Sequence, residues 1–278
     1  MLAKPVVRWP GGKGKLLSQL VPLLPVNMVT RPYYEPFLGG GAMLLRLASI
    51  DFVREAYVND ACGDLINMYR QLIHCPDAVI DVLRDLDGLF QADREGTFAG
   101  VRESFNDDGD CTGADRAAAM IFLSKTCFNG VWRVNKSGAF NCPLGRPSNR
   151  QKTTVVLDET TLREASHVLG QVVIRMTSGD WEAAWPVEPA FVFVDSPYDG
   201  TYTSYTAKGF GEDDQRRLAQ ACRELDKIGG QFMATNADTP LVRELYRGFQ
   251  VRPIIQGVSV NVDVAGRGKI SDLVITNY

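Results

Sequence analysis

Apolar positions along this chain fall into two rhythms. Compact apolar runs end on an acid or a polar pair: EAYVND closes on Asp60, FVFVD on Asp195 and FMATN on Asn236. Such runs read as strands. QVVIRM reads as another, with Asp180 just after it. Other stretches carry the helical period. In ACGDLINMYRQLI, residues Leu65, Ile66, Tyr69, Leu72 and Ile73 share one face, and QRRLAQACRELDKI is amphipathic between two strands. The alternation predicts an α/β domain with a parallel sheet. Residues 6–50 predict strand-and-turn structure around two glycine-rich stretches, WPGGKGK and YYEPFLGGGAMLLRLA. The second runs from strand through turn into helix.

The pattern changes between residues 64 and 153. Up to about 126 it is mostly helical, with ADRAAAMIFLSK composed of strong helix formers. CFNGVWRVNKSGAFNCPLGRP, residues 127–147, instead alternates about a polar turn at Asn135 to Gly138, which predicts a β-hairpin. Residues 64–153 thus read as an insertion that splits the α/β domain into 1–63 and 154–278. The C-terminal runs VRPIIQGVSV and KISDLVITNY predict an edge hairpin with a basic loop at Arg267 and Lys269.

With 278 residues and 45% hydrophobic positions, the chain can build a sizeable core. No apolar run approaches the roughly 18 residues of a membrane span. MLAKPVVRWP lacks the apolar stretch of a signal peptide, so a cytoplasmic location is expected. Six cysteines without a CxxC pair and only two histidines exclude a zinc cluster or a disulfide framework. No metal is expected, and acid–base work falls to carboxylates. The net charge of −3 hides an asymmetry: Asp64 to Asp115 holds twelve acids and four arginines, whereas Arg116 to Lys152 holds seven Lys or Arg and no acid. A basic patch on an acidic chain is a candidate polyanion surface.

Ligands of open α/β sheets bind at the carboxyl ends of strands. Gly39 and Gly41 form a turn that lets a ligand approach the backbone, and Asp60 follows 21 residues after Gly39, a spacing suited to a ribose. The full GxGxxG is absent, since Leu44 holds the third position. GGKGK is not a phosphate loop either, because Leu16 stands where Ser or Thr is required. DSPY, residues 195–198, is the richest stretch. The exocyclic amine of a nucleobase is a poor nucleophile because its lone pair is conjugated into the ring. Two acceptors aimed at its hydrogens favour a pyramidal nitrogen, and an aromatic face can hold a base flipped from the duplex. Asp195 and Tyr198 suit those two roles.

Taken together, RWPGGK (8–13), EPFLGGG (35–41), VNDACGDLINMY (58–69), FNGVWRVNKSGAFNCPLGR (128–146) and DSPY resemble, in order and over most of the chain, the Dam-type DNA adenine-N6 methyltransferases of the D12 class, alpha group. The resemblance implies a Rossmann-like methyltransferase fold with an inserted helical and β-hairpin target-recognition domain. It also implies S-adenosylmethionine as donor, duplex DNA as partner and no obligate protein partner. Trp9, Lys13, Phe37, Gly39, Gly41, Asp60, Asp180 and Asp195 would then bind the donor. Asp195, Ser196, Pro197 and Tyr198 would form the catalytic motif. Arg133 would read a base pair, as Arg suits guanine O6 and N7. Phe128 would stack in the space left by the flipped base, beside Asn129. Arg8, Lys136 and Arg146 would contact DNA, the last two at phosphates.

Departures from the family pattern are Ser196, where the motif has its first proline, and Pro147 and Trp132 beside the recognition residues. Serine keeps the backbone carbonyl that the family uses as an acceptor, and Pro197 biases it toward extended geometry, so activity is expected to survive. GATC is the target that the FNGxxR pattern points to. Cytosine-N4 methylation and DNA binding without methylation are the alternative readings. Aspartate at the head of the motif favours adenine over the first. The retained lysine, glycines and acids speak against the second.

Overall fold

The computed structural model describes residues 2–107, 111–146, 154–200, 209–255 and 271–278. Among them, seven strands form one mixed sheet: β1 (Tyr33–Glu35), β2 (Glu55–Asp60), β3 (Val173–Ser178), β4 (Phe191–Val194), β5 (Gln231–Ala237), β6 (Gln250–Ile255) and β7 (Ser271–Thr276). Their order across the sheet is β3-β2-β1-β4-β5-β7-β6. The first five are parallel, and β7 runs antiparallel to both β5 and β6. The chain reverses its direction of travel across the sheet between β1 and β4, so the carboxyl ends of those strands open a crevice at a topological switch point.

The predicted strands EAYVND, FVFVD and FMATN fall in β2, β4 and β5. β4 is buried along its whole length, with Phe191 and Phe193 on one face and Val192 and Val194 on the other. On the second face lie Leu218, Ala219, Cys222 and Leu225 of the long helix Glu212–Lys227, at whose start Asp214 Oδ2 accepts from the Gly211 amide at 3.0 Å. On the first face the core is continuous from the N-terminal turns through Ala42–Ser49 and Gly63–His74 to Glu159–Leu169. The 64–126 stretch forms the end-to-end helices Gly63–His74, Pro76–Ala92, Arg94–Asn106 and Gly113–Thr126. The last of these is buried on every side from Ala117 to Ser124.

Three expectations are modified. Residues 6–32 build 3₁₀ turns and one short helix, Leu17–Leu20, rather than strands. The predicted 127–147 hairpin is, over its described residues 127–146, an irregular antiparallel ribbon with two bridges, Cys127 to Leu144 and Val134 to Phe140. Its tip is an Asx turn in which Asn135 Oδ1 accepts from the amides of Ser137 and Ala139. The C-terminal strands do pair as a hairpin, but only β6 lies at the edge. Pro253, which has no amide hydrogen, fits an edge strand, whereas Leu273, Val274 and Ile275 are buried and place β7 inside. The Arg267–Lys269 loop and Pro147 lie outside the described residues. No helix among those residues is long and apolar enough to cross a membrane, and they hold no cluster of three or more His, Cys, Asp or Glu suited to a metal.

Candidate active site

Trp9–Lys13, Glu35, Gly39–Gly41 and Asp195 line one cleft at the switch point. The glycine turn between β1 and the helix Ala42–Ser49 is pinned from two sides. Asp60, at the end of β2, accepts from the Gly39 amide at 2.8 Å through Oδ2 and from the Cys62 amide at 2.9 Å through Oδ1. The Tyr69 hydroxyl donates to the Gly40 carbonyl at 2.7 Å. Gly41 has φ +62, and a Cβ there would stand 2.7 Å from the Tyr69 hydroxyl, so only glycine closes the turn without strain. Trp9 lies against Gly39 and Gly40, where added Cβ atoms would stand 3.0 and 3.3 Å from it.

At the end of β4, Asp195 takes two donors on one oxygen. Lys13 Nζ lies 2.6 Å from Oδ1, and the Thr235 hydroxyl donates to the same atom at 2.6 Å. Lys13 is 5% exposed, also donates to the Gly11 carbonyl, and sits 4.6 Å from the centre of the Tyr198 ring. Among the described residues Asp195 Oδ2 takes no hydrogen bond. The Pro197 carbonyl accepts from Gln215 Nε2 at 2.8 Å, and Gln215 is held by Asn236. The Ser196 carbonyl takes no bond among the described residues, and its hydroxyl is buried without a hydrogen-bond partner. One carboxylate oxygen and one backbone carbonyl therefore remain as acceptors beside an aromatic ring. That pair can receive the two hydrogens of an amine, as the chemistry of DSPY requires.

Sequence reasoning missed Thr235, Gln215, Asn236 and Asp272, all buried polar residues around this loop. FMATN held a signal for two of them. A fully buried strand that ends on Thr and Asn must spend those groups on partners.

Burial raises the Glu35 carboxyl to about 8 and the Asp60 carboxyl to about 6, although hydrogen bonds from Tyr33 and from the amides of Cys62 and Gly39 pull them down. A carboxyl with a raised folded-state pKa binds its proton more tightly folded than unfolded. Its contribution to stability is complete below its unfolded pKa and is lost as pH rises through the folded value. The ligand-free protein is therefore expected to lose stability from pH 6 to 8, and Glu35→Gln should flatten that fall. Denaturant midpoints at the two pH values measure it; an equal slope in both proteins would contradict the assignment to Glu35.

Other expected site residues are dispersed. Phe37 packs on Trp181 with ring centres 6.2 Å apart. The Asp180 carboxylate accepts from the Glu182 amide and pairs with Arg217 at 2.9 Å, so it is already engaged at the mouth of this aromatic patch. Arg8 packs on Gly130, where a Cβ would lie 2.6 Å from its Cδ. Asn129 holds a left-handed conformation at φ 57, and Phe128 is 49% exposed. Arg133 donates through Nε and Nη2 to Asn141 across the ribbon. Lys136 and Arg146 are exposed. The basic segment is weaker than its formal charge, because Arg116 pairs with Asp64 and Lys125 is tied to the Val156 carbonyl. Trp132 is not a surface obstacle: it is buried, stacks on Trp9 at 6.0 Å and packs against Phe105 and Phe140.

Residues 9–259 match the family model described as D12 class N6 adenine-specific DNA methyltransferase. The chain is 35% identical over 295 residues to the type II methyltransferase M.MjaIII of Methanocaldococcus jannaschii, with all of both chains covered. It is 33% identical to the type II methyltransferase M1.LlaDCHI of Lactococcus lactis subsp. cremoris, over 99% of this chain and 95% of the relative. It is 30% identical to the retron Ec67 DNA adenine methylase of Escherichia coli, over 97% and 90%.

Proposed function

This chain belongs to the D12 class of N6 adenine-specific DNA methyltransferases, and from that premise we propose that it moves a methyl group from S-adenosylmethionine to N6 of an adenine flipped out of duplex DNA, with GATC as the target sequence. The observation that carries this reading is the open acceptor pair beside Tyr198: Asp195 Oδ2 and the Ser196 carbonyl, with Asp195 Oδ1 occupied by Lys13 and Thr235. The residues around the cleft suit the donor, which combines an amino acid, a ribose and an adenine. Lys13 offers an ammonium and Glu35 a buried carboxyl where the glycine turn exposes backbone, Asp60 ends the neighbouring strand, and Phe37 with Trp181 offers an aromatic wall near Asp180. When bound, the donor supplies a methyl group on a positively charged sulfur, which leaves as a neutral thioether. The protein's part is to hold the amine in line, draw its hydrogens toward Asp195 and Ser196, and keep the base flat on Tyr198. Gln215 fixes the loop that carries all three.

Residues 64–153 are the proposed recognition segment. Arg133 would read a base pair, Phe128 would fill the emptied stack beside Asn129, Arg8 would contact DNA, and Lys136 and Arg146 would contact its phosphates. Because Nε and Nη2 of Arg133 are held on Asn141, its position on the ribbon is set before DNA arrives. Arg133→Ala is expected to lose about 1–3 kcal/mol of discrimination at one base pair. Lys136→Ala should weaken all sequences alike and reduce the salt dependence of binding. Competition binding with single-base variants of the site separates the two; equal loss on all variants would remove Arg133 from base reading.

The test of the reading as a whole is methyl transfer from labelled S-adenosylmethionine to genomic DNA lacking adenine methylation, followed by nucleoside mass spectrometry. N6-methyladenine is the expected product. N4-methylcytosine would move the specificity to the other exocyclic amine. Donor binding with no modified base would make the chain a DNA-binding protein with a broken motif.

A further inference from the structure

Asp272 lies on β7, beyond residue 259 where the family match ends. It is 2% exposed, and its Oδ2 accepts from the Tyr198 hydroxyl at 3.0 Å. A buried carboxylate carries a large desolvation cost unless it does something with its acceptors. Its neighbours on the sheet define what it does. β7 pairs with β5 so that Asp272 is opposite Ala237 and Leu273 opposite Asn236. β5 in turn supplies Thr235, whose hydroxyl holds Asp195 Oδ1. The catalytic acid is thus tied to β5 through Thr235, and the catalytic ring to β7 through Asp272, with Thr235 also bonded to the Tyr198 hydroxyl. The loop between them is tied a third time by Gln215.

A tyrosine ring that carries a stacked base is free to rotate and slide unless its far end is fixed. We propose that Asp272 is a positioning residue, which anchors the Tyr198 hydroxyl so that the ring face stays registered with Asp195 when the target base enters. This rests on the reading of the site as one for a flipped adenine. Burial and the nearby carboxylates Asp195 and Asp272 hold the Tyr198 hydroxyl well above the ordinary phenol range, so it remains a donor at working pH.

The test compares the full-length wild type with Asp272→Ala, Asp272→Asn, Tyr198→Phe and the double variant Tyr198→Phe/Asp272→Ala. In methyl transfer, Asp272→Ala is expected to lower kcat by about tenfold to 10²-fold with donor affinity unchanged. Asp272→Asn keeps an acceptor oxygen and should restore most of the loss. The double variant should be no slower than the slower single, since both remove one contact. Losses that multiply, or a donor affinity that falls in step with kcat, would overturn the proposal. A second readout does not need turnover. With tyrosine labelled at Cζ, the Tyr198 resonance, assigned by its absence in Tyr198→Phe, should move in Asp272→Ala; an unmoved resonance would overturn the proposal. If the wild type binds donor and DNA but transfers nothing, the proposed activity fails, while the resonance still decides whether Asp272 holds Tyr198.

Discussion

Asp195→Ala is expected to slow methyl transfer by at least about 10²–10³-fold, the loss that follows removal of one preorganised hydrogen-bonding group from a reacting centre. The structure makes the expectation specific. One oxygen of Asp195 is occupied by Lys13 and Thr235, so the other is the acceptor left for the amine. Alanine removes both the acceptor and the partner of Lys13. The glycine turn should stay in place, because it is held by Asp60 and Tyr69 independently of Asp195. Asp195→Asn keeps an oxygen but ends the ion pair and should fall between the two. Single-turnover transfer with saturating donor and DNA gives the chemical rate directly. A rate within about tenfold of wild type in Asp195→Ala would take the residue out of the reaction.

Lys13→Met should show two losses at once. The Lys13–Asp195 pair is largely shielded from water, and breaking such a pair from one side costs about 3–5 kcal/mol because the remaining charge is left uncompensated. Asp195 would keep only the Thr235 hydroxyl and would be free to turn. Transfer should fall by about 10²-fold. Lys13→Arg keeps the charge, but a planar guanidinium does not fit the space between Asp195, the Gly11 carbonyl and the face of Tyr198, so it should rescue stability more than rate. Thermal melting and single-turnover transfer on the same preparations measure both. A variant that melts with wild type and transfers within about threefold would show that the pair is incidental.

What could be read from the sequence follows what is local. β4 and β5 announce themselves because strands buried on both faces must be apolar, and the polar ends of β2, β4 and β5 mark the side where ligands bind. The glycine turn, Asp60 and Asp195 were legible as chemistry because each sits where a strand stops. The placement of Lys13 was not: WPGGKGK suited donor binding, whereas folding brings its ammonium across 182 positions onto Asp195, a long-range pairing no local pattern encodes. Asp272 and Gln215 were invisible for the same reason. The alternating hairpin was overread as regular strands, because its alternation serves an aromatic cluster, Trp132 with Phe140 and Phe105, rather than a ladder. The formal charge of the basic segment was overread too. A sum over residues does not know that Arg116 and Lys125 are turned inward.

The indole stack of Trp9 on Trp132 bears on whether the proposed recognition ribbon could be exchanged between relatives. Trp9 rests on the glycine turn, and Trp132 is the neighbour of Arg133 in the ribbon. A ribbon transplanted from a relative would bring new side chains for DNA but would leave Trp9 without its stacking partner. A working chimera must therefore inherit both indoles together, along with the Gly130 that admits Arg8. On the proposed reading of the ribbon as the recognition element, the smallest heritable unit of specificity is the ribbon plus residues 8 and 9, two segments more than a hundred positions apart that have to travel as one.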